Sequence, residues 1–174
     1  MRDARPVSRY PWIATTALIG GLLAGPVAAD ETSAFAFGPL VAAPGELVSG
    51  YLEVPAGSDE GTRIPISVIR GRRDGPVLAL IAGTHGYEYP PILALQRVRG
   101  DIDPEQLSGT LILVHIANLP SFLGRTIYYS PIDGENLNRV YPGDPEGTVC
   151  HRIADVLYRQ IIEPADYVVD MHGG

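Results

Sequence analysis

Few residue types in this sequence carry chemistry, and they gather near the ends of apolar runs. In "LIAGTHGYEYPP", residues 80–91, an apolar run surfaces at Gly83 and delivers His85 and Glu88, three apart. A third candidate, His172, closes "DMH" near the end of the sequence. Two neutral imidazoles and one carboxylate are the protein donors of a catalytic zinc site, with the fourth position left to water or substrate. The i, i+3 spacing lets His85 and Glu88 grip one ion from a single tight turn that Gly86 helps to close. The H-x-x-E pair alone is a common pattern; its placement at a strand exit, together with His172 at another, gives it weight.

The remaining polar candidates divide. Asp170 stands two residues before His172, and on a strand the two share a face. It either holds a ligand imidazole in its tautomer or caps a backbone amide, and both readings stay open. His115, inside "LILVHIAN", reads as a core histidine with its hydrogen bonds satisfied. His151 lies beside Arg152 on a helix and reads as solvated. The stretch "RTIYYSPIDGENLNRVYPG", residues 125–143, sets Asn138 and Arg139 side by side. Arginine suits a planar two-point grip on a carboxylate, and near a zinc ion it can stabilise an oxyanion. Equally, Asn138 and Arg139 can serve to tie down a long loop.

The elements that must position these residues follow from periodicity. Residues 47–54 and 64–69 alternate as strands. Residues 77–82 and 110–117 are continuous apolar runs, as strands covered on both faces should be. Residues 92–98 read as a helix opened by Pro90 and Pro91. Residues 119–147 form a long irregular segment of functional composition. A helix is expected over 148–162, with Val149, Ile153, Val156, Leu157 and Ile161 at helical spacing. The run "ADYVVDMH", residues 165–172, is expected as a third buried strand. This order predicts an α/β fold with parallel pairing, whose ligands sit beyond the carboxyl ends of the strands.

Composition narrows the function classes. Net charge is −7, with the acidic residues dispersed and all 13 basic residues arginine, which argues against a nucleic-acid-binding surface. One cysteine, Cys150, excludes an intramolecular disulfide framework. Residues 1–29 have the three parts of a secretory signal: Arg2, Arg5 and Arg9, then an apolar run over 12–24, then "GPVAAD" with Val27 and Ala29 at the recognition positions. Cleavage is expected after Ala29 and makes the protein secreted or periplasmic; an uncleaved membrane anchor is the rival reading. Residues 30–45 read as a flexible lead-in, and residues 46–174 as one catalytic region.

Taken together, "GTHGYE", "NLPSF", "PIDGENLNRVYPG" and "VDMHGG" resemble the succinylglutamate desuccinylase/aspartoacylase family, zinc deacylases related to the zinc carboxypeptidases. The match runs in order from residue 47 to residue 174. The resemblance implies one zinc ion held by His85, Glu88 and His172, and a carboxylate grip by Asn138 and Arg139. It implies a carboxypeptidase-like core, with a mainly parallel mixed sheet flanked by helices. The family's carbonyl-polarising arginine precedes the Asn–Arg pair, a role that falls to Arg125, although its spacing from Asn138 is longer than in aspartoacylase. The family's general-base glutamate follows the third zinc ligand, whereas this sequence ends two residues past His172. The expectation is therefore the N-terminal part of a longer enzyme, without that base. The implied activity is zinc-dependent hydrolysis of the amide, or an ester-type bond, of an N-acyl amino acid or similar small carboxylate substrate. A periplasmic metallocarboxypeptidase acting on peptides and a truncated, non-catalytic zinc-binding module are the alternatives.

Overall fold

A computed structural model describes residues 33–173. The expected signal sequence and its cleavage point lie outside the described residues. The strands are β1 (Phe35–Phe37), β2 (Leu40–Ala42), β3 (Glu46–Val54), β4 (Thr62–Arg70), β5 (Arg73–Ile81), β6 (Ser108–Val114) and β7 (Tyr167–Asp170). The helices are α1 (Tyr89–Asp101), α2 (Leu119–Gly124) and α3 (Val149–Leu157). A 3-10 turn spans Leu137–Arg139, and a π turn over Tyr158–Ile162 continues α3. Among the described residues no helix is long and apolar enough to cross a membrane.

Five strands form one mixed sheet in the order β3-β4-β6-β5-β7. β3–β4 and β4–β6 pair antiparallel, while β5 pairs parallel with both β6 and β7. The fold is therefore α/β, as the order of elements predicts. β6 is buried along six of its seven residues, which explains its unbroken apolar run.

Each face of the sheet has its own helix. α3 sets Ile153 and Leu157 against Leu52, Ile64, Ile66 and Ile112 on one face. α1 sets Ile92 and Leu95 against Ile69, Leu111 and Leu113 on the other. Prolines in the first turn of α1 cost nothing, because the amides there lack helical partners anyway. The long segment after β6 is anchored through Asp133, whose carboxylate accepts the Cys150 amide at 2.8 Å and the Glu135 amide at 3.2 Å.

Two segments differ from expectation. The supposed lead-in carries the β1–β2 hairpin, whose Phe37 and Ala42 pack into the core under α3. Three-residue strands are too short to show a period. β7, expected as a buried strand, is exposed along its whole length among the described residues, where it ends the strand order and pairs with β5.

Candidate metal centre

Parallel pairing brings the candidate ligands together. Ile81 at the end of β5 is in register with Val114 of β6 and with Asp170 of β7. The three chains therefore leave the sheet along one edge. Backbone bonds hold them together just beyond it: the Asn118 amide to the Gly83 carbonyl at 2.9 Å, and the Met171 amide to the Ile81 carbonyl at 2.9 Å.

The turn after β5 depends on two glycines for different reasons. Gly83 has φ +70°, the left-handed region that glycine enters without a Cβ penalty. Gly86 is a matter of space. Its amide bonds to the Ile127 carbonyl at 3.2 Å, and a Cβ there would collide with the carbonyls of Ser121 and Thr126. The turn ends at Glu88, which is the N-cap residue of α1. Helix, strand and loop thus fix His85 and Glu88 from three sides.

His85, Glu88 and His172 each offer a ligand atom within 4.8 Å of the others. His85 and Glu88 are buried, and His172 is about one-third exposed. His85 Nδ1 lies 2.8 Å from Glu88 Oε1, and His172 Nδ1 lies 2.9 Å from Glu88 Oε2. The outer ring nitrogens face oxygen: His85 Nε2 is 3.2 Å from Asn136 Oδ1, and His172 Nε2 is 3.0 Å from Asp170 Oδ2. Asn136 Oδ1 also accepts the Asn138 amide at 2.9 Å, which identifies that atom as the oxygen. Thr84 Oγ1 donates to Asp170 Oδ1 at 3.2 Å and orients that carboxylate.

This donor set fits a cation. Both Nε2–H groups donate outward, so the neutral rings present unprotonated Nδ1 lone pairs toward a carboxylate that can only accept. Lone pairs converging from three sides repel unless positive charge lies between them. Protons or a divalent ion can supply it, and two imidazoles with one carboxylate are a donor set that zinc accepts. Burial pushes the Glu88 carboxyl up, but when protons on the imidazoles supply that charge, the His85 hydrogen bond, the Gly173 amide and the positive rings of His85 and His172 outweigh it and hold the carboxyl below the ordinary carboxylate range. Asp170 therefore takes the tautomer-holding role, and Asn136 does the same for His85.

Asn136 was not singled out from the sequence. The available signal was its place two residues before Asn138, where a short polar side chain caps the 3-10 turn. Asn138 and Arg139 follow on that turn. Arg139 is exposed and donates to the Asn138 carbonyl at 2.8 Å, and neither side chain bonds to the triad. Arg125 caps α2 with φ 53° and is exposed. It lines a cavity with Tyr87, Tyr89, Phe122 and Leu123 that adjoins the triad rather than containing it. Asn118 caps α2 through the Ser121 amide at 3.1 Å. His115 is buried on β6's exit with both nitrogens bonded, to Ser67 Oγ at 2.8 Å and Gln96 Nε2 at 3.3 Å.

The succinylglutamate desuccinylase/aspartoacylase catalytic domain model matches residues 74–174. The N-alpha-acetyl-L-2,4-diaminobutyric acid deacetylase of Halomonas elongata is 40% identical over 130 residues, covering 72% of this chain and 37% of the relative. An aspartoacylase family protein from Mesorhizobium loti is similar in structure, with TM-score 0.67, 35% identity, 72% of this chain and 40% of that chain covered. The ectoine utilization protein EutE (DoeB) of Ruegeria pomeroyi, in its product-bound structure, gives TM-score 0.67 at 36% identity, covering 74% and 40%. The chain thus spans about 40% of the length of these solved relatives. The residues that bring His85, Glu88 and His172 together all fall within the matched region, and the chain belongs to the succinylglutamate desuccinylase/aspartoacylase family.

Proposed function

We propose that this chain supplies the metal centre of a zinc-dependent hydrolase that removes the acyl group from an N-acyl amino acid or a similar small carboxylate. The observation that carries the reading is the convergence of His85 Nδ1, the Glu88 carboxylate and His172 Nδ1, each imidazole backed by an oxygen at its far nitrogen. The relatives' names, an acetyl-diaminobutyrate deacetylase among them, support the acyl-amino-acid class.

A zinc ion held there would supply Lewis acidity toward water and the acyl oxygen. The chain's own residues do the rest. Asn136 and Asp170 keep both imidazoles turned inward as unprotonated donors. Asn138 and Arg139 grip the carboxylate of the amino-acid part, which fixes the scissile amide over the triad. Arg125 approaches the acyl oxygen from the adjoining cavity. The three parts of a secretory signal in residues 1–29 support a secreted or periplasmic setting as part of this proposal.

Elemental analysis of the purified chain, followed by assays on N-acetyl amino acids with the family's downstream segment joined to it, tests this reading. About one zinc per chain is expected, and release of free amino acid by the enzyme that carries the downstream general base. Arg139→Ala should raise KM and lower kcat, because a misplaced carboxylate costs alignment as well as binding. Unchanged kcat/KM in that variant would remove the carboxylate role. Cleavage of peptides with free carboxyl ends, and not of N-acyl amino acids, would replace the deacylase by a carboxypeptidase.

A further inference from the structure

The first two amides of α3 are taken by carboxylates from elsewhere in the chain. Thr148, the N-cap residue, makes no side-chain cap bond. The Val149 amide donates to Asp59 Oδ2 at 3.1 Å, and the Cys150 amide donates to Asp133 Oδ2 at 2.8 Å. A carboxylate suits that position for two reasons. It satisfies an amide that has no partner inside the helix, and it lies at the positive end of the helix dipole.

The two carboxylates tie α3 to different parts of the molecule. Asp59 belongs to the turn between β3 and β4. It pairs with Arg152 of α3, a buried side chain that also donates to the carbonyls of Pro55 at 2.9 Å and Glu60 at 3.1 Å. That knot joins helix to hairpin. Asp133 belongs to the segment that reaches the metal centre. Its other oxygen, Oδ1, accepts the Glu135 amide at 3.2 Å. The Ser130 amide closes the turn onto the Glu135 carbonyl, and the Gly134 amide onto the Ser130 carbonyl, both at 2.9 Å. Asn136 is the next residue, with Oδ1 3.2 Å from His85 Nε2. Leu137, fully buried in the core with α3, holds the far side of Asn136. Asn136 is therefore set between two anchors, one apolar and one made of hydrogen bonds.

Resting on the metal-centre reading above, we infer that Asp133 is a positioning residue: its carboxylate, shared between the Cys150 and Glu135 amides, aims Asn136 at His85 and so sets zinc affinity from outside the ligands. Both oxygens are needed for this. An isosteric amide keeps one acceptor and turns a donor toward the other N–H.

Asp133→Asn tests the inference against Asp59→Asn, which damages the same kind of cap on the same helix. Chelator competition should show zinc held about ten-fold more weakly in Asp133→Asn and within about two-fold of wild type in Asp59→Asn, although both variants melt lower. A general loosening of α3 would not separate the two. In an Asn136→Ala background, Asp133→Asn should change zinc affinity by less than about two-fold, because the coupling runs through that side chain. Asp133→Glu, which keeps the charge and misplaces the oxygens, takes the same comparisons if the Asn variant does not fold. Nitrogen NMR of the metal-free chain reads the coupling without zinc. His85 should lose its single Nε2–H tautomer in Asp133→Asn and keep it in Asp59→Asn. That tautomer change in a chain that binds no zinc overturns the metal centre and leaves the positioning. Zinc affinity or tautomer unmoved by the Asp133 substitution, an equal loss in the Asn136→Ala background, or an equal loss in Asp59→Asn overturns the positioning and leaves the metal centre.

Discussion

His85 and His115 are equally buried, each 6% exposed, and each is bonded at both ring nitrogens. Both follow a strand of the same parallel pair. What separates them is the chemistry of their partners. His115 meets a serine hydroxyl and a glutamine amide, groups able to donate where the ring accepts and accept where it donates. Arg99 lies beside it, donating to Ser49 Oγ and Ser67 Oγ at 3.3 Å. That network pairs each ring nitrogen with a neutral group and holds no carboxylate; its one charge is the Arg99 guanidinium. His85 meets an amide oxygen on one side and a carboxylate on the other, and a second imidazole faces the same carboxylate. That network closes only around positive charge. Burial therefore does not distinguish a core histidine from a ligand; the balance of donors and acceptors does.

The comparison breaks if both histidines matter equally to metal binding. His85→Ala, and likewise His172→Ala, should weaken zinc binding by about a thousand-fold or more, since three protein donors fall to two. His115→Ala should leave zinc affinity within about two-fold, although it costs stability. Competition with a chromogenic chelator measures all three. Comparable losses in the His85 and His115 variants would show that donor balance was the wrong criterion.

The residues behind the ligands come next in size. Asn136→Ala and Asp170→Asn should each weaken zinc binding by about 10–100-fold, the usual cost of losing an outer partner of a metal-bound imidazole. Asp170→Asn is the sharper of the two. It keeps the shape, but its amide can present a donor to His172 Nε2 and favour the wrong tautomer. An affinity unchanged in both variants would mean that the imidazoles hold their orientation through packing alone.

Sequence spacing made His85, Glu88 and His172 visible because each sits where an apolar run surfaces, and parallel pairing aligns such exits by itself. Asn136 was hidden for the converse reason. It lies 51 residues from His85 in the chain, and nothing in a turn-forming Asn tells which ring it will meet. Arg125 shows the same limit. Its residue type suits an oxyanion, but the cavity it lines is fixed by the αL turn that ends α2, a local backbone event with no periodic signal. The central strands were legible through their length. The β1–β2 hairpin was not, since three-residue strands lack a period.

The smallest expected effect concerns His115 itself. Burial holds its pKa below the ordinary histidine value of 6.5, and the positive charge of Arg99 adds to the depression. Gln96, Ser67 and Arg99 are the groups that face it. In the unfolded chain the ring takes up a proton near pH 6.5, while in the folded chain it resists. Between those two values the unfolded state binds more protons, so stability rises with pH. The contribution is therefore complete above pH 6.5 and is lost as pH falls through the folded pKa. Glu88 titrates in both wild type and variant, so the difference between them isolates His115. His115→Gln should melt lower than wild type at pH 7.5, and the gap should narrow as the pH falls toward 5. A gap that stays constant or widens toward acid would mean that the ring is charged in the fold despite Arg99, and that donor balance does not separate it from His85.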